Sequence, residues 1–432
     1  MSEDRDIRSE EVSETSATEQ ASTRREVGSD HDGKDAAPSR RGFLGGALGG
    51  LAVGGLGGFA GGRASASAPY AANLGKETHV ARGLHQPGVA SPITNFANLV
   101  AFDLLDHDVT SLRRLMRLWS DNIVRLMAGE PSLTDTEPEL ARNPSRLTIT
   151  LGIGPGFFAG ELKDKKPEWL EQLPPYQIDD LRDEWSGGDL CLLIAAEDPM
   201  TIAHTQRVMV KEAVGFARMK WVQSGFRNTA ITWPDGTTIR NLFGQVDGSI
   251  NPDPETEPEI IFRTDGWMNG GSTLVARRIA MNLDTWDELD RPAREIVVGR
   301  DLDTGAPLTG GEEKDEVDLE AKNELGFPII DMAAHVRRSK TGDDSQRIYR
   351  RPYNYDDPVS EEDLQAGVTS NSGLIFLTFQ ADIDHQYKPI QERLAEMDLL
   401  NEWTIPIGSA VFAIPPGIGA RGQDYLLQEL LG

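Results

Sequence analysis

A mixed fold of helices and strands is predicted by three features of this 432-residue sequence. Short apolar runs read as strands at residues 147–153, 189–196, 274–283, 373–379 and 411–414. Helical periodicity lies between these runs or just before them, at 111–127, 200–214, 284–295 and 383–396. From residue 69 onward about 364 residues remain, more than one core usually holds, so two domains are expected. Strands alternating with helices lead by default to a parallel sheet. The halves echo each other, since strand, helix and strand recur over 147–221 and over 274–412. A boundary is expected at 253–258 (DPETEP), dividing 69–252 from 253–432.

Ahead of these domains, residues 1–38 are charged, rich in Ser, Thr and Glu, and almost free of large apolar side chains, a composition that cannot bury enough surface to fold. Residues 39–68 differ. Arg40 and Arg41 precede Phe43 and Leu44, an apolar glycine-rich run extends to Gly62, and ASASA closes the segment at 64–68. That order reads as an export signal for the twin-arginine translocation machinery, with cleavage after Ala66 or Ala68. The apolar run is short, rich in glycine and lacks a basic flank beyond it, so no stable membrane anchor is expected after cleavage. The mature protein is then periplasmic or extracellular, having crossed the membrane already folded, as suits a protein built around a cofactor.

The chain carries a formal net charge of −26, of which −23 belongs to residues from 69 onward. Binding to nucleic acid through phosphate contacts is thereby excluded, and anionic membrane surfaces repel it. The single cysteine, Cys191, sits in the apolar run LCLLIAA and can form no internal disulfide, so stability must come from core and cofactor.

The stretch 327–357 concentrates the chemistry. An apolar run from Phe327 to Ala334 delivers His335, Arg337 and Arg338 follow, and after a polar turn come Arg347, Arg350 and Arg351. A histidine presented in this way can ligate a metal or haem iron when its other ring nitrogen has a fixed partner. A lone histidine beside an apolar run is more often a core residue. A second stretch, 243–252 (FGQVDGSINP), places Asp247 in a turn rich in residues tolerant of positive φ.

Together GxxDG, the following NP, AHVRR some ninety residues on and the YRR arginines resemble the dye-decolorising peroxidases, a family of haem enzymes. Blocks at 147–158, 187–199, 267–286, 373–394 and 408–417 resemble that family in order and spacing, so the likeness spans roughly residues 85–417. It implies an α+β fold of two ferredoxin-like halves with antiparallel sheets, of the dimeric α+β barrel type, and one haem b per chain between sheet and helices. This replaces the parallel default.

The resemblance also implies roles. His335 becomes the iron ligand and Asp382, in the block FQADID, the acid that polarises it, with Asp384 as the alternative; a helix N-cap explains Asp382 equally well. Asp247 takes the acid/base work on peroxide, for which an acidic pH optimum is expected. Charge on the departing oxygen falls to Arg350, or to Arg351 in the alternative register, Pro352 standing where the family has glycine. Arg337 is placed to pair with a haem propionate or to stand solvated at the surface, and Phe376, Phe379 and Phe412 to wall the pocket or to pack the core. Tyr353, Tyr355 and Trp267 lie near matched blocks as candidate electron relays. Hydrogen peroxide and an organic donor, such as a dye or phenolic, are the expected partners. The alternatives are an iron-uptake role with ferrous iron or haem as substrate, similar to a deferrochelatase, and a non-catalytic haem-binding protein.

Overall fold

In the computed structural model, which describes residues 74–228, 233 and 237–432, alternation of side chains along the strands builds a closed barrel. Its strands are β1 (Phe96–Leu104), β2 (Thr148–Ile153), β3 (Leu190–Ala196), β4 (Ala217–Phe226), β5 (Ser272–Met281), β6 (Tyr349–Arg350), β7 (Tyr353–Asp357), β8 (Asn371–Gln380) and β9 (Thr404–Ile414). The first half pairs in the order β4–β1–β3–β2 and the second in the order β7–β8–β5–β9, with β6 beside β7 on β8. These are the same ferredoxin-like order used twice, and all its pairings are antiparallel. The sheets join edge to edge through one residue pair at each seam, Ala413 against Ile153 and Phe226 against Asn354. Two antiparallel halves are therefore observed, and the parallel default is overturned.

Successive residues face opposite sides of a strand, so the ring has an inner and an outer layer. Ala97, Leu99 and Ala101 of β1, Leu193 of β3, Ile375, Leu377 and Phe379 of β8 and Phe412 of β9 fill the interior. Cys191 lies there too, fully buried, and burial pushes its thiol well above the ordinary range, as a core role requires. On the outer face of the first half, Val100, Leu192 and Ile194 pack against α1 (Val109–Met127) and α2 (Pro199–Ala213). Aspartates start both helices: Asp108 accepts from the Ser111 amide at 2.8 Å and Asp198 from the Thr201 amide at 3.1 Å. Trp119 fills the space beneath α1 and donates its indole N–H to the Met209 carbonyl of α2 at 3.1 Å.

The second half is interrupted more often. The helix expected over 284–295 is a single turn (Leu283–Trp286) followed by α3 (Arg291–Val298), because Asp290 caps a new helix with Pro292 in its first turn. Between β5 and β6 a long excursion carries the five-residue α4 (His335–Ser339). The helix expected over 383–396 opens with a wide turn at Ile383–Tyr387 and continues as α5 (Lys388–Met397). The boundary expected at 253–258 falls in the connection between β4 and β5.

Gly299 ends α3 at φ 89°, a left-handed conformation that favours glycine, and a Cβ there would come within 2.5 Å of Val336 in α4. Gly299→Ala is therefore expected to cost about 1–3 kcal/mol and to lower the melting temperature. Thermal denaturation checks this, and an unchanged melting temperature would mean that α4 yields freely.

Candidate active site

The outer face of β5 and β8 in the second half is not covered directly by helix. Ile279, Met281, Leu374 and Phe376 instead form the floor of a cavity of about 750 Å³, roofed by the 241–252 segment, by α4 and the loop after it, and by α5. Its volume lies within the usual range for small-molecule and cofactor sites.

His335 is the only histidine among the lining residues. It opens α4, whose approach is anchored by the fully buried Ile330 and Ala334, while Phe327 and Met332 of the same apolar run stay exposed. The imidazole Nδ1 lies 2.6 Å from the Asp398 carboxylate, which also accepts the Leu400 amide at 2.9 Å. Asp398 is almost wholly buried whereas His335 keeps 35% of its side-chain surface, turned to the cavity. Burial pulls the imidazole pKa down, but the charge and hydrogen bond of Asp398 outweigh it and the net shift is upward. With the proton held on Nδ1, the Nε2 lone pair is free for a ligand bond, and among the described residues it makes no hydrogen bond.

Asp382 is not in this pair. Its carboxylate accepts the amides of Asp384 and His385, both at 3.0 Å, so it caps the wide turn that precedes α5. Asp398 was missed: it lies 63 residues beyond His335, and its carboxylate also caps the turn that follows α5, which would explain an acid there without any partner.

A hairpin presents Asp247. Val246 bridges Arg240, Gly244 turns at φ 81°, the Asn241 carboxamide accepts the Phe243 and Gln245 amides, and the Asp247 amide reaches the Ile239 carbonyl at 2.8 Å. Gly248, at φ 105°, then redirects the chain towards β6. There Asn251 clamps the backbone of Arg350 from both sides, donating to its carbonyl at 2.8 Å and accepting its amide at 2.9 Å. The Arg350 guanidinium donates to the Ile250 carbonyl at 2.9 Å and lies 3.5 Å from the Asp247 carboxylate, with both groups on the cavity wall. Asn251, within the NP of the sequence motif, is thus a second site residue that its short motif did not reveal.

The structure corrects four other expectations. Arg350 stands opposite Thr378 on the outer face of β8, so Arg351 must point into the barrel, where it is 3% exposed and donates to the Ser91 carbonyl at 2.6 Å. Phe376 lines the cavity, whereas Phe379 and Phe412 lie in the barrel interior. Arg337 is committed to the carbonyls of Leu319, Ile330 and Asp331 and braces the approach to α4. Tyr353 and Tyr355 are buried in the interior and offer no surface for a donor. The Arg40–Arg41 signal lies outside the described residues.

Two family models match the chain: "Dyp-type peroxidase, N-terminal" over residues 86–227 and "Dyp-type peroxidase, C-terminal" over 238–419. The protein belongs to the Dyp-type peroxidases, haem-dependent oxidoreductases that reduce hydrogen peroxide with an electron donor. It is 35% identical to the dye-decolorizing peroxidase of Thermobifida fusca, over 91% of this chain and 97% of that one. A deferrochelatase of Yersinia pestis is 32% identical over 81% and 84% of the two chains. Among solved structures, a DyP-type peroxidase from Cellulomonas bogoriensis superposes with a TM-score of 0.79 at 49% identity, covering 83% of this chain and 99% of its own.

The two aspartates separate by experiment. Asp382→Ala is expected to cost about 1 kcal/mol as a lost cap while leaving the iron reduction potential of haem-loaded protein unchanged. Asp398→Asn is expected to raise that potential, because a neutral amide no longer adds electron density through the imidazole. Spectroelectrochemical titration distinguishes them, and equal potentials in both variants and parent would leave Asp398 as a structural partner alone.

Proposed function

We propose that this peroxidase acts outside the cytoplasmic membrane on an organic donor, with haem seated in the 750 Å³ cavity and its iron on His335 Nε2. One observation carries the reading: a cavity-facing imidazole with its proton committed to Asp398 shares its chamber with the Asp247–Arg350 pair. The residues suit the group. The floor and walls are apolar (Ile279, Leu374, Phe376, Val246, Val336), and Lys340 and Arg347, each held by one carboxylate and more than a third exposed, supply cations for the carboxylates of haem. Bound there, haem iron supplies the redox centre that takes oxidising equivalents from peroxide.

The chain's own groups do the rest. Asp247 accepts a proton from peroxide and returns it to the departing oxygen, work for a carboxylate within hydrogen-bond reach of the substrate. Arg350 stabilises the charge that develops as the O–O bond breaks; Asn251 fixes its backbone and the Ile250 carbonyl holds its guanidinium beforehand, so that little reorganisation is spent during the step. A simple haem carrier needs neither Asp247 nor Arg350. The second reading keeps this site and changes the donor: the 32% identity to a deferrochelatase favours ferrous iron or haem itself as substrate.

Arg350→Leu is expected to slow reaction with peroxide on the order of 10²-fold or more, the loss typical when a preorganised donor is removed. Arg351→Leu should leave that rate near the parent value and lower stability instead. Stopped-flow mixing of the haem-loaded variants with peroxide measures the step, and a parent-like Arg350→Leu alongside a collapsed Arg351→Leu would invert the assignment. Export is tested separately: replacing Arg40 and Arg41 with lysine should strand the precursor in the cytoplasm, as fractionation and immunoblotting would read. Normal export of that double variant would point to another route.

A further inference from the structure

Arginines buried elsewhere in the barrel have carboxylate partners. Arg277 pairs with Asp179, Arg278 with Asp357 at 3.0 Å, and Arg146 with Glu197 at 3.0 Å. Two that enter one end of the barrel, Arg227 just beyond β4 and Arg351 just before β7, have none among the described residues. Three of their donor nitrogens, Nε and Nη1 of Arg227 and Nε of Arg351, are buried without a hydrogen-bond partner. The Arg227 guanidinium carbon lies 5.9 Å from the ring centre of Tyr353, that of Arg351 lies 5.9 Å from the ring of Tyr349, and the charges of both act on the Tyr353 phenol. Glu197, the nearby acid, is already engaged by Arg146 and by the Asn95 amide at 3.2 Å.

Buried charge without a counter-charge is costly, and water would satisfy the N–H groups without offsetting the charge. The strain appears on Arg227 itself. Burial pulls its pKa down to about 10 and the charge of Arg351 adds to the fall, while Tyr353 and Asp247 oppose it. His79 feels the same excess, its pKa lowered by burial and then by Arg146 and Arg351, and its Nε2 is also buried without a partner.

We propose that this end of the barrel is a binding site for a small inorganic monoanion of halide size, held between Arg227 and Arg351 beside Tyr353. The inward-facing Asn95, Arg351 and Tyr353 are almost wholly buried, so the site is enclosed and suits a small anion. The site is distinct from the haem cavity, since neither arginine lines that chamber. It stands or falls independently of the roles given to His335, Asp247 and Arg350.

Bromide is the probe. Crystals of the haem-loaded enzyme soaked in sodium bromide should give an anomalous peak within hydrogen-bonding distance of Arg227 Nε or Nη1 and Arg351 Nε. In solution, the parent enzyme should gain on the order of 2 °C in melting temperature per tenfold rise in chloride above its dissociation constant, compared with sodium gluconate at equal ionic strength. Arg227→Met should abolish the chloride-specific part of that rise. Bromide peaks only elsewhere on the molecule, together with identical melting curves in chloride and gluconate, would overturn the proposal. The parent comparison decides the question even if the variant does not fold.

Discussion

Everything at the site depends on the barrel being closed. A closed ring gives each strand one inner and one outer face, and the two-residue period of the pleat then assigns every side chain to one of them. Each seam is a single residue pair, yet the two suffice to make the assignment absolute. Neighbours in sequence are thereby sent to different chemistry: Arg350 to the cavity and Arg351 to the interior, Phe376 to the cavity floor and Phe379 to the core. A shift of one residue in the pairing of β6 with β8 would exchange these partners.

The two halves share a strand order but differ in what lies on their outer faces. In the first half α1 and α2 sit directly on the sheet, with Trp119 packed near Phe102 at a ring separation of 5.5 Å. In the second half the chain leaves β5 for an excursion of nearly seventy residues before β6, and that excursion with α5 stands away from the sheet. The cavity is thus the space that helices fill in the companion half. Its polar walls are held by backbone: Asn251 grips both the amide and the carbonyl of Arg350, and Arg337 spends its guanidinium on three carbonyls to fix the approach to His335.

Much of this was legible in the sequence, for reasons that differ by residue. Strands β2, β3 and β8 are near-continuous apolar runs, and apolar runs announce themselves. Of the runs that escaped, β1 is largely apolar, but β4 exposes Arg218, Met219 and Lys220 in succession and β7 alternates tyrosine with asparagine and aspartate, so neither of these reads as an apolar run. His335, Asp247 and Arg350 could be named because their short motifs have fixed spacing and resemble a known family. Asp398 could not, because it lies 63 residues from His335 and meets it only through the packing of α5 against α4. The choice of Phe379 and Phe412 failed because an apolar block reveals burial without revealing which side of the sheet is buried against what.

The placement of charge follows the same geometry. His335 and Asp398 form a pair in which the charge and hydrogen bond of the carboxylate hold the imidazole proton, and Asp247 and Arg350 form another at a looser 3.5 Å. The looser pair faces the open cavity, whereas the tight pair rests on a carboxylate that is almost wholly buried. Arg351 meets the opposite requirement. Adjacent to a cavity residue but turned into the barrel, it carries charge into a place where, among the described residues, it meets the Ser91 carbonyl and the Tyr349 hydroxyl but no carboxylate. Pro352 follows it, lacks an amide hydrogen and separates β6 from β7, so the chain cannot relax this residue by extending the ladder through it. The register that turns Arg350 to the cavity therefore also commits Arg351 to the interior.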